Sequence, residues 1–215
     1  MNTLMSEFKE SEYYQRIFKN HKVVLLYISG SRLCGITDER SDYDLIAIVD
    51  EDNPEMCPNE FIMYDDSIKI HWYYISFKTF KDLSVNGTNL NIVGGIQFRN
   101  INSDTILYQN EEYESQINEL LSEKEIISNN SCKALYHRLE KLVDDIISDN
   151  AISEKNYTKM IYHLCLASYY LVGDEPDIEF LKKIKRIRWQ PVSDEYKDLA
   201  VKRLKILKDK IKEDI

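Results

Sequence analysis

The sequence predicts an α+β protein, with an N-terminal mixed β-sheet and flanking helices over residues 1–110 and a helical bundle over residues 111–215. Three observations carry that expectation. Two short apolar runs, residues 23–28 and 45–49, are rich in β-branched side chains and bounded by turn-forming residues, as buried strands are. Over residues 68–75 the pattern alternates, with Ile68, Ile70, Trp72 and Tyr74 on one face and Lys69, His71 and Tyr73 on the other. From Tyr113 onward, apolar residues recur at three and four, the spacing of helices that bury one stripe.

Taken in order, residues 6–20 predict one amphipathic helix, with Phe8, Tyr13 or Tyr14, Ile17 and Phe18 toward the sheet. Residues 21–28 predict the first strand, closed by Gly30 and Ser31. A short helix over roughly residues 31–35 would start with Ser31 as its cap. The second strand follows the polar loop. Residues 50–59, with two prolines and four acids, predict a loop. A hairpin then joins residues 61–64 to 68–75 around Asp65, Asp66 and Ser67. Ser76 caps a predicted helix over residues 76–84 that groups Phe77, Phe80 and Leu83. Another helix is expected within residues 89–98, and a short strand over 105–108. In the C-terminal half, Leu135, Leu139, Leu142, Val143 and Ile146 define one helical stripe, and Met160, Ile161, Leu164, Ala167 and Leu171 define the next. Gly173 ends that second helix, Pro176 opens the following segment, and Leu199, Leu204, Leu207 and Ile211 mark the last helix.

Composition narrows the function classes. Of the 215 residues, 43% are hydrophobic, enough for a core, and 30% are charged. No apolar stretch nears the ~20 residues of a membrane helix, and the acidic, polar opening residues lack the pattern of a secretory signal. Cys34, Cys57, Cys132 and Cys165 are scattered, without zinc or redox spacing. The expectation is a cytoplasmic protein with reduced thiols and no membrane contact. A net charge of −9 argues against general coating of nucleic acid. The charge is uneven, however: residues 181–215 hold a net of +6 against −15 for the rest. The basic run over residues 182–188, followed by Trp189, is either a solvated face or a set of cations facing an anionic ligand, with Trp189 as a stacking surface. His137 and His163 fall inside predicted helices, where each either packs, the commoner role, or reaches a phosphate. Cys34 is expected to be a small buried side chain.

The chemistry concentrates in residues 27–49. Asp42 and Asp44 are two apart at the start of a strand, so their carboxylates point the same way. Such a pair repels itself unless a cation lies between, and hard oxygen ligands suit Mg²⁺. Gly30 lets the chain turn sharply and lets a ligand approach the backbone. Ser31 brings a hydroxyl to a turn whose N–H groups face outward, which is a setting for phosphate. Arg32 either touches that phosphate or pairs with the acidic loop residues Asp38 and Glu39.

The residues GSRLCG followed by SDYDL resemble the GS-x10-DxD signature of the polymerase-beta-like nucleotidyltransferase superfamily. More narrowly, they are similar to a bacterial and phage branch of predicted nucleotidyltransferases with GSRxxG and SDxD. The resemblance covers residues 23–49. It implies phosphate binding at Gly30, Ser31 and Arg32, metal (Mg²⁺ or Mn²⁺) at Asp42 and Asp44, and transfer of a nucleoside monophosphate from an NTP to an acceptor hydroxyl. It also implies a third carboxylate on a later strand, nine residues before the Phe of the next helix. With Phe80 as that Phe, His71 occupies the slot, so a histidine stands where a base and metal ligand is expected. Histidine accepts protons near neutral pH and suits Mn²⁺ better than Mg²⁺. Three functions stay open: a nucleotidyltransferase acting on nucleic acid, protein or a small molecule; a non-catalytic nucleotide-binding regulator; and an antitoxin-type enzyme that modifies a partner protein.

Overall fold

Five strands form one mixed sheet in the order β3–β4–β2–β1–β5, in a computed structural model that describes residues 3–37, 41–52, 59–62, 68–86, 92–147, 154–187 and 193–213. The strands are β1 (Val23–Ser29), β2 (Tyr43–Val49), β3 (Asn59–Ile62), β4 (Lys69–Ser76) and β5 (Ile106–Gln109). β1 runs antiparallel to both β2 and β5, β2 runs parallel to β4, and β3 runs antiparallel to β4. β1 and β2 lie at the centre with both faces covered, which is why they read as unbroken apolar runs.

One face carries Leu26, Tyr43, Leu45, Ala47, Ile70, Trp72 and Tyr74, and is packed by Leu4, Met5, Phe8 and Ile17. Those residues come from two helices, α1 (Thr3–Glu10) and α2 (Glu12–Lys19), where one was expected. Ser11 makes the break. Its hydroxyl donates to the Phe8 carbonyl at 2.6 Å and accepts the Tyr14 N–H at 3.3 Å, so it ends one helix and caps the next.

The other face carries Leu25, Tyr27, Ile46, Ile48 and Ile75, and is covered by Phe80, Phe98, Ile101, Ile117, Leu120 and Ile127. Phe80 lies on α4 (Phe77–Asn86), whose Thr79 N–H is bonded to the Ser76 hydroxyl at 2.9 Å, the expected cap. The short α5 (Ile92–Gln97) leads into a 3₁₀ turn, Phe98–Asn100, and Gly95 lets α5 lie against Ser131. Ile117 and Leu120 belong to α6 (Glu114–Ser122), and Ile127 to α7 (Lys124–Ile147).

α7 then leaves the sheet and joins α8 (Glu154–Val172), α9 (Ile178–Arg186) and α10 (Asp194–Glu213) in the predicted helical bundle. α8 ends at Gly173, with φ +81°. Asp174 N–H bonds the Tyr169 carbonyl at 2.9 Å and Gly173 N–H bonds that of Tyr170 at 3.2 Å, a Schellman stop. Asp177 caps α9 through the Phe180 N–H at 2.9 Å. The bundle core includes Cys34, Ile36 and Ile96, so it reaches the loop beyond the first strand. Among the described residues, no helix is long and apolar enough to cross a membrane. Asp38, Glu39, Cys57, the Asp65–Asp66 turn and Trp189 lie outside the described residues, as does the side chain of His137.

Candidate functional site

The turn after β1 is built differently from the sequence expectation. The helix α3 (Gly30–Leu33) starts one residue early, and Ser29, not Ser31, is its N-cap. The reason lies far along the chain. Gln97, 2% exposed at the end of α5, accepts the Gly30 N–H at 2.9 Å and the Ser29 hydroxyl at 3.4 Å through one oxygen. That amide does the work a capping hydroxyl would do. Ser31 is thereby the second residue of the helical turn. Gly30 adopts φ +65°, a left-handed conformation that favours glycine.

Gly30 is also where the turn meets the carboxylates. A Cβ at this position would overlap Oδ2 of Asp44 and lie 3.1 Å from the Asp44 Cβ. Asp44 pairs with Ser29 on β1 and with His71 on β4. Its neighbours Tyr43 and Leu45 point into the core under α1 and α2, as do Ile70 and Trp72 on either side of His71. Alternation turns Asp44 and His71 together to the opposite face. Trp72, 1% exposed, is on the far side, so the expected strand register is the one observed. Asp42 lies just ahead of β2, exposed, and its Oδ1 accepts the Lys69 N–H at 3.1 Å. Tyr73, two residues beyond His71, is half-buried. Burial first, and then the Asp44 charge, push its phenol up.

Two cations hold the segment that leads into β2. The Arg32 guanidinium stacks 3.5 Å above the Tyr43 ring, donates to the Asp42 carbonyl at 3.2 Å and donates to the Ser41 carbonyl. It clasps the segment that delivers Asp42. Lys185, from the basic α9, donates to the Ser41 hydroxyl at 3.0 Å and to the Ile36 carbonyl at 3.4 Å. Within the same run, Lys182 pairs with Glu179 at 2.8 Å on the solvent side. Cys34, beside the turn, is buried as expected, and burial pushes its thiol up to about 11. His163 is buried in α8 with its ring 5.0 Å from that of Tyr162, a packing position.

The sequence reading missed Gln97 and gave Lys185 no role of its own. The available signal for Gln97 was a lone amide in the apolar window Ile96 to Phe98. For Lys185 there was none beyond its membership of a basic run.

The donors present fit a hard divalent cation. Asp44 lies on β2 with Asp42 just ahead of the strand, and the missing side chain of Gly30 leaves room for the oxygen of Asp44. Among the described residues, which include Asp42, Asp44 and His71, no group of three or more His, Cys, Asp or Glu side chains is placed to hold a metal ion, so the structure does not gather the expected trio. Mg²⁺ is commonly held by one or two carboxylates, with water and substrate phosphate completing its shell. Asp42 and Asp44 suit that mode.

No protein-family profile matches the chain, and no curated protein matches it. Among solved structures the chain is similar to a nucleotidyltransferase-like protein from Exiguobacterium sibiricum 255-15, at 13% identity and a TM-score of 0.36, over 96% of this chain and 76% of that one.

Proposed function

We propose that this protein is a metal-dependent nucleotidyltransferase, moving a nucleoside monophosphate from an NTP to an acceptor hydroxyl. The observation that carries the reading is the packing of Asp44 onto Gly30, which joins the turn after β1 to the start of β2. A turn with outward N–H and hydroxyl groups beside a carboxylate offers the parts that phosphoryl-group chemistry uses.

In this reading the NTP phosphates lie against the Ser31 hydroxyl and amide, because the Gly30 N–H is held by Gln97. Arg32 and Lys185 add positive potential at the rim. Asp42 and Asp44 would hold Mg²⁺ or Mn²⁺, which when bound supplies stabilisation of the attacking and leaving oxygens. The Lys69 N–H orients Asp42, and the backbone of Gly30 confines Asp44. The acceptor oxygen bonds to the α-phosphorus as the bond to the β-phosphate oxygen breaks and pyrophosphate leaves. His71, next to Asp44 in the ladder, takes the hydroxyl proton.

The test is incubation with each labelled NTP and Mg²⁺ or Mn²⁺, following pyrophosphate and label. Pyrophosphate with label on RNA, a protein or a small molecule supports transfer and names the acceptor class; label on a partner protein selects the antitoxin-type activity. Nucleotide binding without turnover under either metal would overturn the enzyme reading. It would favour a regulatory nucleotide-binding protein, a reading supported by an imidazole standing where the resemblance implies a carboxylate.

A further inference from the structure

Gln97 is a buried polar side chain, and burying an amide is costly unless its hydrogen bonds are made. Its oxygen is committed to two donors of one turn, the Gly30 N–H at 2.9 Å and the Ser29 hydroxyl at 3.4 Å. Those donors flank the Ser29–Gly30 peptide. The Asp44 carboxylate packs against the Cα of the same glycine. Gln97 and Asp44 therefore grip one residue from two directions, and Ser31 follows directly. The orientation of that peptide sets where the Ser31 amide and hydroxyl face, and how far they stand from Asp42 and Asp44.

Gln97 is itself held on a fixed support. The carbonyl of its neighbour Ile96 accepts the Ser128 hydroxyl at 2.8 Å, and Gly95 packs on Ser131, both on α7. Three residues on, Asn100 donates to the Tyr170 hydroxyl at 2.5 Å, and Arg99 donates to the Tyr170 carbonyl at 3.2 Å, tying the same segment to α8. A group acting on a binding turn is effective in proportion to the rigidity of what carries it.

We propose that Gln97 is a positioning residue for nucleotide binding: its amide oxygen holds the left-handed Gly30 so that the turn and the Asp42–Asp44 pair meet phosphate and metal at one fixed spacing. This rests on the nucleotidyltransferase reading. Gln97 touches no reacting atom and acts through Gly30.

The test uses the full chain and three proteins: wild type, Gln97→Met, which keeps the side-chain length and loses the acceptor, and Gln97→Glu, which keeps an acceptor oxygen. Two quantities are read. Hydrogen exchange at the Gly30 amide, without nucleotide, reports the turn. Calorimetry with Mg²⁺–ATP, Mg²⁺–GTP, Mg²⁺–CTP and Mg²⁺–UTP reports the site. Wild type should protect the Gly30 amide and bind at least one of the four. Gln97→Met should lose that protection and bind about tenfold more weakly, the size of one lost hydrogen bond. Gln97→Glu should recover the protection, since a carboxylate oxygen can accept in the amide's place, while its charge beside Asp44 weakens nucleotide binding. A purely structural role would change the melting temperature and leave the affinity of the folded protein alone. Gln97→Met with wild-type affinity overturns the proposal. So does a folded Gln97→Glu that leaves Gly30 unprotected. A wild type that protects Gly30 but binds none of the four overturns the nucleotidyltransferase reading and, with it, the role of Gln97. Unprotected Gly30 in a nucleotide-binding wild type overturns the role of Gln97 alone.

Discussion

At the scale of single residues, the site depends on an atom that is not there. Gly30 has no Cβ, and the Asp44 carboxylate occupies the space beside it. Gly30→Ala should cost about 1–2 kcal/mol for the left-handed backbone alone. The added methyl should also push Asp44 off the turn, so metal-dependent NTP affinity should fall further than stability does. Urea unfolding and calorimetry on the same variant separate the two losses. Ser31→Ala should do the reverse. Ser31 is not the helix cap, so stability should stay within about 0.5 kcal/mol, while NTP affinity drops. A Ser31→Ala protein that loses stability but binds normally would return Ser31 to a capping role. The nearness of Gly30 to Asp44 was legible in the sequence, because two adjacent strands joined by a short loop bring the end of the first beside the start of the second. Gln97 was not, since it meets Gly30 across 67 positions, and no local pattern encodes such a contact. Arg32 was half legible. Its nearness to the site followed from the motif, but its stacking on Tyr43 needs the fold.

At the scale of elements, the parallel pairing of β2 with β4 decides what stands beside Asp44. The register couples Asp44 to His71 and buries Trp72 on the opposite face. The alternation of β4 made this predictable, because a slip of one residue would have sent Trp72 to the polar side and His71 into the core. The resemblance implies a carboxylate at that place. His71→Asp should therefore raise Mg²⁺-dependent turnover, and wild type should work better with Mn²⁺ than with Mg²⁺. Pyrophosphate release by the two proteins with each metal checks this. Equal inertness of both proteins with both metals would mean that the third ligand is not what limits the site. α9 is the element the sequence left ambiguous. Its basic run serves two ends, with Lys182 on a solvated ion pair and Lys185 on the loop that leads to Asp42. Periodicity separates the faces of a helix but does not say what a face meets.

At the scale of the whole molecule, the sheet and the bundle share α7 and a partly buried polar seam, where Asn100 joins Tyr170 and lies 3.7 Å from the Cys34 sulfur. The α+β order and the helical second half were legible from periodicity alone; the seam was not, being assembled from residues distant in sequence. It has a consequence for pH. Burial raises the thiols of Cys34 and Cys165 from 9.0 to about 11 and that of Cys132 to about 12. It also raises the phenols of Tyr27, Tyr162 and Tyr170. The folded chain then keeps protons that the unfolded chain gives up, so stability falls as pH rises. The contribution is intact below about pH 9, where the unfolded thiols begin to ionise, and is lost through the range of the folded values, at up to about 1.4 kcal/mol per pH unit for each proton held. Urea midpoints measured at about pH 8 and about pH 10.5 should differ clearly; equal midpoints would contradict the burial of these groups. The central claim concerns the site, and the most direct test is calorimetric titration of Mg²⁺–NTP into wild type and into Asp42→Asn, Asp44→Asn. We predict metal-dependent nucleotide binding by wild type and its loss in the double variant, with the fold retained by circular dichroism and a melting temperature without metal that is equal or higher, because two repelling charges are gone. A folded double variant that binds Mg²⁺–NTP as wild type does would contradict the account.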